Sequence, residues 1–566
     1  MKAAASVQSP GTAVSDRSGK VAWEDGPLSQ PAGQFDFIIV GAGTAGCLLA
    51  DRLSENPATT VCVIEAGPKD NHPYIHLPAG YIKTLFNPAY TWRFETEPSA
   101  GSAGRRIATT QGRTLGGSSS INGLVYNRGQ AADYDAWAQM GNRGWSYEDV
   151  LPLFRRTEKR IGAGDERLRG RGGNLYVTDL DWHHPLCDAF VKGAVASGIP
   201  YNADYNGATQ AGVGYYQRVI HKGQRRSSAR SFLKAALKRP NLTLITQAQV
   251  SRVDFAGRKA VGVTYVRPDG GEARLVANRE VVVAAGAVNS PKLLQLSGIG
   301  SSPLLQALGI APVNVLEGVG ENLRDHWAIR VVARVKGVRT INRMVSGIPL
   351  VGQAARWAIG LPNVLSVSPS LAHVFWKSDP ALSVPDLQMT FTPASYREGV
   401  AGLLDSFDGM TCGVWQQRPE STGYVRARSR DPRENPAIQP NYLGAEIDRA
   451  AIVSGIRLAR RLLETDPLKP YFAGRESPGA NIETDDEILD FARRKGSTVF
   501  HLMGSCRMGP AGDRRSVVDD RLRVHGVEGL RVVDASIMPT MPSANTMAAT
   551  YMIAEKGADA ILRALP

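Results

Sequence analysis

Gly41, Gly43 and Gly46, in a Gly-x-Gly-x-x-Gly spacing, and Glu65, nineteen residues further on, form a set able to hold the phosphates and one ribose of a dinucleotide. Gly41 permits a tight turn, Gly43 lets the backbone approach a pyrophosphate, and Gly46 lets a helix pack closely on a strand. Glu65 is placed to accept hydrogen bonds from an adenosine ribose 2′-OH. A bare glycine spacing of this kind is weak evidence, so the flanking elements decide. An apolar run from Phe35 to Val40 leads into the turn, Cys47 to Leu53 reads as the helix that leaves it, and Val61 to Ile64 as a second strand ending at the acid. The helix N-terminus, with unpaired N–H groups and partial positive charge, then faces the phosphates.

A second glycine-rich segment, Gly112-Arg-Thr-Leu-Gly116-Gly117-Ser118-Ser-Ser-Ile-Asn122-Gly, is too rich in glycine and serine for a core strand. It suits a loop whose amides and hydroxyls line an extended polar ligand, and a simple nicotinamide enzyme has no obvious use for it. Glu280-Val-Val-Val-Ala-Ala285 and Leu530-Arg-Val-Val-Asp534-Ala535 read as buried strands. Both stop at small residues, where the C-terminal edge of a sheet meets its ligand. Their apolar residues are sheet core; Ala285, Asp534 and Ala535 are the candidate contacts.

Together with Gly286-Ala-Val-Asn-Ser-Pro-Lys-Leu-Leu-Gln-Leu-Ser-Gly298, these segments resemble the glucose–methanol–choline (GMC) oxidoreductases, which are FAD enzymes. The resemblance runs from about Phe35 to Leu565. Thr109 to Arg128 and Gly223 to Arg230 look most like the choline and alkanol dehydrogenase branch. It implies an α/β (α+β overall) fold: a Rossmann-like FAD-binding domain from residues 35–160, 215–325 and 495–566, and a substrate-binding domain from 161–214 and 326–494 with an antiparallel sheet backed by helices. Residues 1–34, rich in Ala, Ser, Gly and Pro and without an apolar signal segment, read as a flexible extension. The cofactor contacts implied are Gly41, Gly43, Thr44, Ala45, Gly46, Glu65, Ala66 and Gly67, then Arg113, Gly116, Gly117, Ser118, Asn122 and Val125, then Val250, Ala285, Asp534, Ala535, Asn545, Thr546 and Met547. Some relatives attach FAD covalently through a histidine at the position of Ile121. Isoleucine cannot do this, so non-covalent FAD is expected.

Oxidising an alcohol with a flavin requires removing the hydroxyl proton and passing the carbinol hydride to flavin N5. A neutral imidazole suits the first task and a fixed amide can stabilise the developing alkoxide. The family places a histidine just before a Gly-[Thr/Ser]-Cys-x-Met-Gly run, and His501 stands there in Phe500-His501-Leu-Met-Gly504-Ser-Cys506-Arg-Met-Gly509. Its second polar residue falls on Asn545 in Pro542-Ser-Ala-Asn545-Thr546-Met547. His501 as base and Asn545 as its partner are therefore the catalytic candidates. His326, closing Gly318 to Asp325, is expected near the cofactor or domain junction and not as an acid or base. The other seven histidines are read as surface or structural. Relatives often carry His-Pro where this chain has His501-Leu502, and Met547, Ala549 and Tyr551 are expected to alter the wall beside the flavin. Trp357, Phe375, Trp376, Met389 and Phe391 are the apolar candidates for an access path.

Composition excludes several classes. Five widely spaced cysteines with no Cys-x-x-Cys or Cys-x-x-His spacing argue against a disulfide framework or zinc site and suit a reducing compartment. The net charge of +13 is distributed, with clusters at Arg105-Arg106, Lys222 to Arg230 and Arg493 to Lys495 that lack the interleaved aromatics of a nucleic-acid platform. Ile348 to Leu365 is the longest apolar candidate, and Pro349, Gln353, Arg356 and Pro362 break it short of a membrane span. The expectation is a cytoplasmic oxidoreductase of a primary aliphatic or aromatic alcohol, forming the aldehyde, with O₂ or a quinone or other respiratory carrier as acceptor. It needs no metal, and peripheral contact with the inner face of a membrane stays open. A second reading is a family offshoot such as a fatty acid photodecarboxylase, which shares the Ser516-Val-Val-Asp and Val524-His-Gly-Val stretches, or a hydroxynitrile lyase. His501 discriminates, in favour of alcohol oxidation.

Overall fold

The structure, a computed structural model, describes residues 33–397 and 403–564. Two seven-stranded sheets, each with its own apolar core, organise it. In the first sheet Leu242–Ile245, Val61–Ile64, Gly33–Val40 and Glu272–Val283 run parallel in that order. The chain thus leaves Gly33–Val40 for one side and returns later on the other, which opens a crevice at the C-terminal ends of the strands.

The strand Glu272–Val283 is twice as long as the six-residue run that the sequence marks out. Its first half alternates between buried and exposed positions and pairs antiparallel with Lys259–Val266, itself paired with Gln249–Ala256. Its second half, Val281 to Val283, is buried on both faces between Gly33–Val40 and the parallel strand Leu530–Val532. Period-two alternation marks a half-covered strand and an unbroken apolar run a fully covered one, and this strand is both in turn.

The helices Thr44–Leu53 and Thr546–Leu562 pack on each other over this sheet. Arg52 locks them with two bonds to the fully buried carboxylate of Glu555, at 3.0 and 2.8 Å. Arg156 Nη2 at 2.7 Å and Thr157 Oγ1 at 3.2 Å also hold that carboxylate, so removing Arg52 would break the link between the two helices while leaving the buried charge one cationic partner.

The second sheet runs Phe472–Ser477, Trp327–Val335, Gly409–Gln416, Leu387–Thr392, Ala372–Trp376 and Gly212–Tyr215, antiparallel throughout. The helix Glu446–Leu463 covers one face. It approaches so closely at Gly455 that a Cβ there would lie 2.7 Å from Val414. Every residue of Gly409–Gln416 is buried.

Several segments differ from expectation. Gly33 and Gln34 begin a strand, while residues 1–32 of the expected extension lie outside the described residues. Leu175 and Val177, assigned to the substrate side, pack into the first core; Ser497–Thr498, assigned to the cofactor side, pairs with Trp327 and Ala328 of the second sheet. Among the described residues, no helix is long and apolar enough to cross a membrane.

Candidate active site

Between the two sheets lies a cavity of about 460 Å³, within the range of small-molecule and cofactor sites. Of the sequence-derived cofactor candidates, Gly41, Gly43, Thr44, Ala45, Glu65, Ala66, Gly117, Ser118, Asn122, Val125, Val250, Ala285, Asp534, Ala535, Asn545, Thr546 and Met547 line it. Gly46, Gly67, Arg113 and Gly116 do not. Gly46 is a packing residue: a Cβ there would sit 1.8 Å from the Gly41 carbonyl oxygen. Gly67 abuts the Arg113 backbone at 2.1 Å in the same sense, and Arg113 stacks over Trp92. Gly116 turns the second loop at φ +84°.

The two glycine loops meet back to back, since a Cβ on Gly117 would lie 2.7 Å from the Gly43 Cα. Gly43 itself faces open space, with only the Ala284 carbonyl oxygen near its Cβ position, at 3.9 Å. Glu65 is aimed by two amides: Ala42 N–H donates to one carboxylate oxygen at 2.9 Å and Gly67 N–H to the other at 2.8 Å. Each oxygen keeps a lone pair for a ribose hydroxyl. Asp534 caps from the opposite strand, accepting from Gly286 N–H and Ser290 Oγ at 2.8 and 2.5 Å.

Two buried donors on the cavity wall, Gln111 Nε2 and Trp415 Nε1, have no protein acceptor. Buried donors are rarely left so. Those donors, the open cradle at Gly43, the ribose-ready Glu65 and the helix N-termini at Thr44 and Thr546 together fit FAD.

Arg225, fully buried, pins the second loop by donating to the carbonyl oxygens of Ser119, Asn122 and Ile75 at 2.9–3.1 Å, and burial without an acidic partner pushes its pKa down to about 9. Ile121 lies on the wall where a histidine would be needed for a covalent flavin bond. Ala549 and Tyr551 are away from the wall, contrary to expectation. Tyr551 sits in the first core with its hydroxyl 2.8 Å from Ser228 Oγ, so only Met547 of those three shapes the cavity.

The polar centre of the cavity joins residues far apart in sequence. His501 Nδ1 lies 2.8 Å from His326 Nδ1, and His326 Nε2 lies 2.7 Å from the Gln417 carbonyl oxygen. A carbonyl only accepts, so His326 Nε2 carries a proton. Burial pushes the His326 pKa down to about 4, which leaves its ring neutral and Nδ1 a bare acceptor. His501 Nδ1 must then donate, and His501 Nε2 presents a lone pair. The chain closes consistently: Asn545 Nδ2 meets that lone pair at 3.1 Å, and Asn545 Oδ1 accepts from Gln388 Nε2 at 3.2 Å. One backbone carbonyl thus sets the tautomer of both rings. Burial, reinforced by His326, holds the His501 pKa well below its usual value.

Asp325 fixes the backbone beneath both histidines. Its Oδ1 accepts from the His326 and His501 amides at 2.9 and 2.8 Å, and its Oδ2 from Thr498 Oγ1 and Tyr442 OH at 2.5 and 2.6 Å. Burial pushes its pKa up to about 6, and these four donors work against that rise. Phe500, just before His501, is held at φ +66°, a conformation that costs a non-glycine residue of order 1 kcal/mol and aims the next side chain.

The sequence pointed to His501 and Asn545 but not to Asp325, Gln388 or Gln417, and it set His326 aside as an acid or base. The run Gly318 to His326 was legible as a motif; its contact with His501 was not. The access-path candidates are corrected too. Met389 and Phe391 are core of the second sheet, Phe375 is buried beside Tyr205 and Tyr216, and Trp376 packs at the edge of that core. Trp357 stands at the surface. The aromatic wall is instead built from Tyr81, Trp92, Phe94, Tyr216, Tyr396, Trp415 and Phe500.

GMC oxidoreductase family models match residues 35–328 and residues 419–554. The chain is 39% identical over 532 residues to the alcohol dehydrogenase (acceptor) of Pseudomonas putida, covering 94% of this chain and 96% of that one. It is 39% identical over 541 residues to the mitochondrial choline dehydrogenase of Homo sapiens, covering 94% and 90% respectively. The structure of an Aspergillus oryzae formate oxidase variant, solved to follow FAD modification, matches with a TM-score of 0.87 at 27% identity, over 94% of this chain and 99% of that one.

Proposed function

This chain belongs to the GMC oxidoreductases, FAD-dependent enzymes acting on CH–OH donors, and we propose that it oxidises a neutral primary alcohol to the aldehyde with His501 as the base. The observation that carries this reading is the hydrogen-bonded line Gln417–His326–His501–Asn545, which leaves His501 Nε2 unprotonated beside a fixed amide donor. FAD, when bound, supplies the hydride acceptor. Gly43, Glu65, Gly117 and the Thr44 and Thr546 helix termini are the residues proposed to hold it.

An alcohol hydroxyl takes the place of Asn545 Nδ2 against His501 Nε2, and the displaced amide turns toward the same oxygen. A low pKa on His501 keeps the base form present, but it makes complete alkoxide formation costly. Taking the hydroxyl as acidic as water, about nine pKa units separate it from an unperturbed imidazolium, or about 12 kcal/mol. Proton removal is therefore expected to accompany the departure of hydride from carbon. His326 remains neutral down to about pH 4 and orients His501 by accepting from its Nδ1–H.

The charge of the cavity favours a neutral substrate over choline. Its acidic wall residues among the described ones are Glu65 and Asp534, both engaged by backbone amides at strand ends of the first sheet. Arg330, a cation, also lines it. A quaternary ammonium would meet aromatic faces but no free carboxylate. Mixing the oxidised enzyme anaerobically with aliphatic alcohols, benzylic alcohols and choline tests this. Flavin bleaching is expected with the first two groups, and rapid bleaching by choline alone would overturn the assignment. Later admission of air or a quinone dye identifies the acceptor.

His326→Phe keeps an aromatic ring, slightly larger, at this buried position and removes the acceptor for His501 Nδ1. The single-turnover rate should fall roughly tenfold to a hundredfold through loss of orientation, with flavin content unchanged. His326→Gln, whose amide oxygen can accept, should recover part of it.

A further inference from the structure

The helix Gly347–Ala358 has no buried residue. Isolated helices of about this length are marginal in water, so an element so little covered by its own protein points to a second surface. Two of its side chains tie it to the protein: Gln353 Oε1 accepts from Val364 N–H at 3.0 Å, and Trp357 Nε1 donates to the Gly223 carbonyl oxygen at 3.0 Å. Ile348, Val351 and Ile359, at helical spacing on the other side, are 87%, 69% and 72% exposed. A stripe of large aliphatic side chains this exposed marks an interaction site.

Charge identifies the partner. No acidic residue occurs between Asp325 and Asp379, a run that contains seven arginines and lysines. Arg334 and Arg343 are neutralised by Glu476 and Asp408. Arg339 and Arg356, and Lys222 beside the Trp357 contact, are exposed and have no ion pair among the described residues. At about 18 Å the helix is too short to cross a bilayer and long enough to lie in its surface. Aliphatic residues on one side with cations around them are the pattern of an interfacial helix on anionic lipid.

We propose that the helix Gly347–Ala358 and the turn after it dock this enzyme on an anionic phospholipid surface, with Ile348, Val351 and Ile359 inserted among the acyl chains. The position is apt for exchange with the cavity. The chain after the helix packs through Val364–Ser366 against Pro78–Gly80, which leads into the cavity residues Tyr81 and Leu85, and then continues to Pro369 and Ser370 on the cavity wall. An apolar alcohol or quinone dissolved in the membrane would enter beside the docked helix. The proposal does not depend on the role of His501.

The test is co-sedimentation of the FAD-loaded full chain with phosphatidylcholine vesicles and with phosphatidylcholine–phosphatidylglycerol vesicles, at low and high salt. Binding is expected to the anionic vesicles and to weaken with salt. The triple variant Ile348→Asp, Val351→Asp, Ile359→Asp should lose at least about tenfold in bound fraction, and Lys222→Glu with Arg356→Glu should lose the salt-sensitive part. Both should keep parental oxidation of a water-soluble alcohol. The five native cysteines are all buried, so a polarity-sensitive dye on Ile348→Cys reports this site alone and should shift to the blue with anionic vesicles. The proposal fails if the parent ignores anionic vesicles or if the triple variant binds them equally. It also fails if size-exclusion shows a parental dimer that the triple variant dissolves, since the face then joins two copies of the chain.

Discussion

His501→Ala is expected to bind FAD at full stoichiometry and to bleach it with a good alcohol about 10²–10⁴ times more slowly than the parent. His501 sits on a segment held by Asp325 and Thr498 through backbone amides, so truncating the ring leaves the support intact. The loss belongs to the chemical step, and anaerobic single-turnover bleaching is where it should be read, because steady-state rates can be limited by reoxidation.

The pH behaviour separates base from scaffold. With the His501 pKa held well below 6.5, the parental rate should be flat through neutral pH and fall only in acid, as His501 becomes protonated at Nε2. In the alanine variant the rate should rise with pH, since the only route left is the small and growing fraction of alkoxide in solution. Asn545→Ala should lose less and show no such rise, because the amide donates a hydrogen bond but carries no exchangeable charge. An unchanged bleaching rate in His501→Ala would falsify alcohol oxidation at this site and bring the photochemical or lyase reading forward.

The second large effect concerns the cofactor. Gly43→Val should give a folded, colourless protein. The Cβ position at Gly43 has no protein atom closer than 3.9 Å, and its extended backbone, φ −79° and ψ −157°, accepts a branched residue. The valine methyls therefore enter only the space assigned to the pyrophosphate. Gly46→Ala is the contrasting case: its Cβ would lie 1.8 Å from the Gly41 carbonyl oxygen, so the strand–helix unit itself must break. Thermal unfolding should thus place Gly43→Val beside the apoprotein and Gly46→Ala far below it. A yellow Gly43→Val protein would move the dinucleotide elsewhere. Acid precipitation of the parent should release its flavin to the supernatant, as Ile121 offers no atom for a covalent bond.

The strand–turn–helix–strand from Phe35 to Glu65 could be read from sequence because the contacts that shape its turn lie within the segment itself. Gly46 meets Gly41 five residues away, and Glu65 folds back on the amide of Ala42. The strand Glu272–Val283 was half legible, because its apolar second half announces burial while its alternating first half does so weakly. His501 and Asn545 were legible only as motif positions. Their chemistry depends on partners such as His326 and Gln388, 175 and 157 residues away in the chain, which the second sheet delivers to one point.

The aromatic wall shows the same limit. Phe375, Trp376, Met389 and Phe391 read like a pocket in sequence, yet a sheet strand sends alternate side chains to opposite faces, and which face meets a cavity is set by what packs on the other. The unpartnered helix Gly347–Ala358 is the clearest instance. In sequence it is only an apolar stretch too broken to span a membrane, and the packing of everything else is what leaves Ile348, Val351 and Ile359 uncovered. Local backbone chemistry determined the cofactor turn; long-range packing decided which ring is the base, which tautomer it holds and which apolar residues face out.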